Sequence, residues 1–395
     1  MGKFLDSVPV SAIVRIRDMM YTVKDPFRLD QGDVSFDAPD TFKKAAAKAI
    51  EENRTHYLPT VGIPRLRQLF AEKMRTKNHI PIGSDDEVVV TNGGTHALYA
   101  VFQSLLEPGD EVIIPDPEWP PTMAMVKAAG GTAVQVPLRE DLGWRWNIDE
   151  IEKAITAKTR VLYLNSPNNP SGGVLTKADL ERLAAIAREK NLWVVSDEAY
   201  EDVVYNGEHV SIASLPGMYD RTIPVYTMSK TYAITGVRVG YFAIKDKSLL
   251  SRAIKVVLYT TSNVSSIAQY GAVGALEGSQ QCIDEFKKEL QFRRDMFFKG
   301  LNESGLLSGQ PPDGAFYAFV KINREAADRA GVKGDSLSWA MAEFLIKNAR
   351  IGCVPGVDFG PNSEGYMRFC TCRSREELTG ALASMAETLS RVQTA

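Results

Sequence analysis

The sequence predicts an α/β fold: a mostly parallel sheet with helices on both faces, joined to a smaller α+β domain formed by the two chain ends. Three observations predict it. Short, continuously apolar runs recur through the middle of the chain, the pattern of strands buried on both faces. Each run closes in polar or glycine-rich residues before an amphipathic stretch, the alternation that builds a parallel sheet. Beyond about residue 280 the pattern changes to one long helix followed by shorter strands and helices.

The elements follow in order. Val10 to Val23 has helical apolar spacing, in a first segment too short for a core of its own, so it packs on the smaller domain or on a second subunit. Glu87–Thr91 reads as a strand leading through Gly93-Gly94 into a helix from Thr95 to Leu106. Glu111–Ile114 ends at Pro115-Asp116-Pro117, Val161–Leu164 at Asn165, and Leu192–Val195 at Ser196-Asp197. Pro224–Met228 ends at Ser229-Lys230, with Val239–Ile244 close behind. Between them, Lys177–Lys190 puts Leu180, Leu183, Ala184 and Ala187 on one helical face, and Thr176 with Asp179 forms a capping box. The last part carries a helix over Ser279–Asn302, strands at Ala315–Lys321 and Tyr366–Cys370, and a helix at Ser336–Asn348. The expected division is an arm over 1–45, a large domain over 46–280 and a small domain over 281–395.

Composition narrows the function. The 395 residues are 44% hydrophobic and 24% charged, an ordinary globular balance. A net charge of −3, with no run of either sign, argues against a nucleic-acid or acidic-membrane partner. No apolar stretch is long enough to span a bilayer. Met1–Val10 has no signal-peptide core, and Asp6 stands where a myristoylation signal after Gly2 needs Ser or Thr. The four cysteines, Cys282, Cys353, Cys370 and Cys372, read as reduced thiols of a cytoplasmic protein, with no spacing for a zinc site. His56, His79, His96 and His209 are scattered without ligand spacing, so no metal is expected. Gly-x-Ser-x-Gly, His-Glu-x-x-His, Gly-x-Gly-x-x-Gly and a P-loop are all missing, which removes serine-hydrolase, zincin, dinucleotide and P-loop ATPase readings.

In an open parallel sheet ligands bind beyond the carboxyl ends of the strands. Those ends deliver Gly93-Gly94-Thr95, Asn169, Asp197 with Tyr200, Lys230 and Arg238. This set suits a phosphorylated pyridine aldehyde, pyridoxal 5′-phosphate. A helix opening at Gly94 and Thr95 receives a phosphate on free N–H groups, with Arg238 and Thr227 adding donors. Asp197 holds a proton on the pyridine nitrogen, Lys230 provides the amine for an imine, and Tyr200 and Asn169 donate to the ring's phenolic oxygen. Trp119 offers an aromatic face to the ring.

Five segments carry a resemblance: Tyr57-Leu-Pro-Thr-Val-Gly62 to Arg67, Gly93-Gly-Thr95, Asn165-Ser-Pro-Asn-Asn-Pro-Ser-Gly172, Ser196-Asp-Glu-Ala-Tyr200, and Ser229-Lys230 through Arg238 to Tyr241. On them the chain resembles the class I/II, fold type I, pyridoxal-phosphate-dependent aminotransferases over nearly its whole length. The resemblance implies that Lys230 is the Schiff-base lysine and that Arg368 clamps the substrate's α-carboxylate. It also implies that Gly32 touches substrate through its backbone, and that Tyr57 reaches the phosphate of the neighbouring subunit in a homodimer. A ping-pong exchange between an L-amino acid and a 2-oxo acid follows, with Lys230, Asp197 and Tyr200 as catalytic residues and Asn169 beside Arg368. Two departures bear on substrate: aspartate-using relatives carry Lys where Thr95 stands and Thr near Ala12. The preference therefore falls on neutral or aromatic amino acids. Aspartate transamination and β-elimination by a C–S lyase of the same fold are the alternatives, with a cofactor-binding regulator behind them for want of a DNA-binding segment. Cys370 and Cys372, flanking the Arg368 strand, read as small buried hydrophobes, and His96 as a packing residue.

Overall fold

The computed structural model describes residues 6, 8 and 10–393. Gly2 and most of the segment read for a leader lie outside these residues. Two sheets organise the chain. The larger has eight strands: β1 (Val88–Thr91), β2 (Glu111–Asp116), β3 (Thr132–Arg139), β4 (Arg145–Trp146), β5 (Thr159–Asn165), β6 (Trp193–Asp197), β7 (Thr222–Thr227) and β8 (Gly240–Ala243). Their spatial order is β1-β8-β7-β6-β5-β2-β3-β4. Strands β7, β6, β5, β2 and β3 pair in parallel, while β8 runs antiparallel between β1 and β7 and β4 runs antiparallel to β3. Strands β1, β5, β6 and β7 are buried almost throughout because helices cover both faces, which is why their sequences read as unbroken apolar runs.

The smaller sheet is antiparallel, in the order β11-β12-β10-β9, from β9 (Leu307–Ser308), β10 (Tyr317–Ile322), β11 (Val354–Pro355) and β12 (Tyr366–Cys370). The first helix, Ala12–Met20, starts where Ser11 accepts the Ile13 N–H. Its Ile16 and Met20 join Leu29 in one core with Phe297, Leu345, Met367 and Phe369. The arm therefore packs on the carboxyl-terminal part of the same chain.

Most element ends shift by a residue or two from expectation, and the first helix stops three residues short of Val23. Helix Lys177–Glu189 carries the Thr176–Asp179 capping box. Helices Gln281–Glu303 and Leu337–Ala349 match the expected positions, the latter capped by Ser336. Strand β10 begins at Tyr317 rather than Ala315, because Ala315 has φ +55° and breaks the extended run. Strand β3 had no apolar run to mark it: next to the outermost strand of the sheet, it is mostly half-exposed and reads Thr-Ala-Val-Gln-Val-Pro-Leu-Arg.

Candidate active site

The carboxyl ends of β5, β6 and β7 and the start of the helix Gly93–Leu105 open into one cleft of ≈ 350 Å³. It is lined by eleven of the residues singled out from sequence: Gly32, Gly94, Thr95, Trp119, Asn169, Asp197, Tyr200, Thr227, Lys230, Arg238 and Arg368. Tyr57 is the exception, standing 91% exposed on the surface.

The helix Gly93–Leu105 begins without a side-chain cap, since Asn92 makes no capping bond. Its first N–H groups and its dipole therefore face the cleft as a receptor for an anion. Gly93 adopts φ +79°, and the Arg238 guanidinium packs so closely that a Cβ at Gly93 would lie 2.4 Å from Nη2. Glycine takes that φ without strain and leaves the guanidinium where it is. Arg238 donates from Nη1 to the Thr235 carbonyl at 2.9 Å, which aims the guanidinium along the helix start.

Asp197 ends β6. Its Oδ1 accepts the Ala199 N–H at 3.1 Å and its Oδ2 accepts from the Tyr163 hydroxyl at 3.2 Å. Burial raises its pKa to about 6, and neither of these partners carries a positive charge. Such a carboxylate gains by meeting a cationic N–H. Lys230, in the short helix Met228–Thr231 after β7, donates from Nζ to the Gly32 carbonyl at 2.6 Å. Burial depresses its pKa, which favours the neutral amine that attacks a carbonyl carbon.

Arg368, at the centre of β12, is buried and donates to the Asp30 carbonyl at 2.7 Å and to Asn169 Oδ1 at 3.2 Å. Its Nε has no protein partner among the described residues. The Tyr200 hydroxyl lies 2.5 Å from that of Tyr317, and burial pushes the Tyr200 phenol upward. These parts fit pyridoxal phosphate: an uncapped helix start with a guanidinium, a buried carboxylate lacking a cation, a buried amine and a phenol.

The family described as aminotransferase class I and II matches residues 24–385. The chain belongs to that family. It is 38% identical over 392 residues to an aspartate aminotransferase of Pyrococcus abyssi, covering 98% of each chain. It is 37% identical to aromatic-amino-acid aminotransferase 2 of Thermococcus litoralis, over 98% of this chain and 97% of that one. An aspartate aminotransferase structure from Thermus thermophilus with maleate superposes with a TM-score of 0.90 at 34% identity, covering 98% and 99% of the two chains. The chain is thus a pyridoxal-phosphate-dependent aminotransferase of fold type I.

Several residues of this aminotransferase's site escaped sequence reasoning. Tyr317, Asp30, Gln31 and Ile13 also line the cleft. They come from the arm and from β10, remote in sequence from the strand ends. Tyr163 and Glu118 lie behind Asp197, and their signal was slight: one phenol in the apolar run of β5, and one charge between Pro117 and Trp119. His96 has a structural role, its Nδ1 accepting the Asn92 N–H at 3.2 Å and its Nε2 meeting Thr260 at 2.7 Å. Cys370 and Cys372 are fully buried.

Glu198, Glu201 and His209 bring ligand atoms within 4.8 Å of one another. Glu198 already accepts from Ser196, Ser211, His209 and Tyr226, and Glu201 pairs with Lys73 and Asn78. That cluster is hydrogen-bonded support beneath β6. No helix of the described residues is long and apolar enough to cross a membrane.

Proposed function

We propose that this aminotransferase exchanges amino groups between neutral or aromatic L-amino acids and a 2-oxo acid in two half-reactions, at a site built by the residues of the cleft. The observation that carries the proposal is the meeting of Lys230, Asp197 and Arg368, from three distant segments, in one cleft. When bound, pyridoxal phosphate supplies an aldehyde that takes the amino group and a ring that draws electrons from the substrate's Cα. Gly94, Thr95, Thr227 and Arg238 hold the phosphate. Asp197 would keep the ring nitrogen protonated, Tyr200 and Asn169 would donate to the phenolic oxygen, and Trp119 would cover the ring face. Arg368 and Asn169 fix the substrate's carboxylate, with the Gly32 backbone alongside. Lys230 Nζ, a buried amine beside the cleft, would be the base that carries the substrate's Cα proton.

The lining of the cleft supports the substrate class. Ile13, Leu98 and Trp119 are apolar, and Thr95 brings no charge. Arg17 also lines the cleft and is paired with Asp18 at 2.9 Å. We place Tyr57 on the phosphate of a second copy, in a homodimer, a reading supported by its exposure. The functional division is an arm over 1–45, a cofactor-binding domain over 46–280 and a small domain over 281–395, as the two sheets suggest. Cytoplasmic placement is supported by the four free thiols.

The test is the visible spectrum of the holoenzyme with a panel of L-amino acids. The bound cofactor's band should bleach with aromatic or neutral amino acids and return with a 2-oxo acid, and Lys230→Ala should abolish the cycle. Bleaching by aspartate alone would overturn the substrate class. Ammonia release with a persisting band would overturn transamination in favour of elimination.

A further inference from the structure

Behind the cleft, Glu118 occupies an unusual place. It is fully buried where β2 gives way to the helix Pro120–Ala128, and no Lys, Arg or His among the described residues bonds to it. Its Oε1 lies 3.2 Å from the Tyr163 hydroxyl, and the same hydroxyl lies 3.2 Å from Asp197 Oδ2. Two carboxyl groups thus share a single phenolic hydrogen. The remaining neighbours of Glu118 are neutral: Thr122 Oγ1 at 3.1 Å, Asn165 Nδ2 at 3.0 Å and Asn168 Nδ2 at 3.3 Å.

An ionised Glu118 would have only neutral donors around it, the Tyr163 and Thr122 hydroxyls and the Asn165 and Asn168 amides, and a charge without a counter-charge in a dry interior is costlier than a protonated acid. Resting on the reading of Asp197 as the partner of the ring nitrogen, Asp197 has a cation to meet and Glu118 has none. We propose that Glu118 is a neutral carboxylic acid that acts through Tyr163 as a positioning residue for Asp197. Its proton is directed to the Tyr163 oxygen, and the Tyr163 hydrogen is directed to Asp197 Oδ2. Hydrogen bonds aligned in one direction reinforce one another, and this pair holds the Asp197 carboxylate in its charged form at a fixed angle. Burial, the dominant influence on Glu118, acts in the same sense by driving its pKa well above the ordinary carboxylate range, and the Asp197 charge adds to it.

The experiment compares wild type with Glu118→Gln, Glu118→Ala, Tyr163→Phe and Asp197→Asn. Apoenzyme of each is titrated with pyridoxal phosphate across pH, and infrared spectra of the apoenzymes are recorded. Glu118→Gln keeps a neutral donor, so its cofactor affinity should stay within about three-fold of wild type. Glu118→Ala and Tyr163→Phe should weaken the cofactor about ten-fold or more and move the midpoint of its pH dependence upward. Wild-type apoenzyme should show a carboxylic-acid C=O stretch at neutral pH that is missing from Glu118→Gln. Loss of affinity in Glu118→Gln equal to that in Glu118→Ala, in proteins that melt like wild type, would show that an anion is needed and overturn the proposal. So would unchanged affinity and midpoint in Glu118→Ala and Tyr163→Phe, or no acid C=O stretch. Failure of the underlying reading looks different: Asp197→Asn would then bind the cofactor as tightly as wild type, whatever Glu118 does.

Discussion

Gly93→Ala offers a severe test of the phosphate site, because the structure fixes both the strain and its remedy. Gly93 has φ +79°, a region that costs a residue bearing Cβ about 1–2 kcal/mol. The new methyl group would stand 2.4 Å from Arg238 Nη2 and 2.8 Å from Cζ. The nearest obstacle is the end of a flexible side chain, so the protein relieves the clash by moving the guanidinium. That movement takes away the charge-assisted hydrogen bonds that Arg238 is expected to give the phosphate, about 1.5–3 kcal/mol. Part of the backbone strain, felt at the helix start that faces the same phosphate, adds to this. Together they come to about 2–4 kcal/mol, or roughly a 30- to 1000-fold rise in cofactor Kd. Spectral titration of the apoenzyme measures it, and a thermal melt of the apoenzyme should show only the strain, a drop of about 1–2 kcal/mol. If the variant binds pyridoxal phosphate as tightly as wild type while remaining folded, the assignment of this loop and Arg238 to the phosphate is refuted.

Other expectations follow from the same geometry. Arg368→Lys keeps the charge but loses the planar fork that bonds Asp30 and Asn169, so amino-acid KM should rise about 10- to 100-fold with cofactor affinity unchanged. Unchanged steady-state kinetics would remove Arg368 from substrate binding. Because burial raises the Asp197 pKa from 3.8 to about 6 in the folded protein, its contribution to apoenzyme stability is present below the unfolded value and lost as pH rises through about 6. The apoenzyme should therefore lose about 3 kcal/mol across that window relative to Asp197→Asn, seen in denaturant melts. Cofactor affinity should run the opposite way, falling up to ten-fold per unit as pH drops below about 6, since the protonated acid no longer pairs with the ring nitrogen. Tyr57→Phe removes a hydroxyl from a side chain that is 91% exposed, so the melt should not move while cofactor Kd rises about ten-fold through the partner's site. An unchanged Kd would exclude Tyr57 from the phosphate site.

Much of the molecule was legible in one dimension, for identifiable reasons. A strand buried on both faces must be apolar throughout, so β1, β2, β5, β6, β7 and β8 announce themselves. In such a sheet ligands bind at the strand ends, so the sequence alone places Asp197, Lys230 and Asn169 in one crevice. Thr176 and Asp179 mark a helix start because their reciprocal bonds satisfy orphan N–H groups locally. Strand β3 was hidden because, one strand in from the edge and half-exposed, it needs no apolar run.

What the chain order could not reveal was everything decided by contact across long separations. Arg368 meets Asn169 across 199 residues, and Lys230 meets Gly32 across 198. The sharing of one Tyr163 hydrogen by Glu118 and Asp197 is likewise invisible in sequence, where the three residues lie on separate strand ends. Local patterns are set by periodicity and by bonds between near neighbours, so they are written in the residues themselves. Burial, pKa and the partner of a charged group depend on which surfaces the folded chain presses together, and only the tertiary structure decides that.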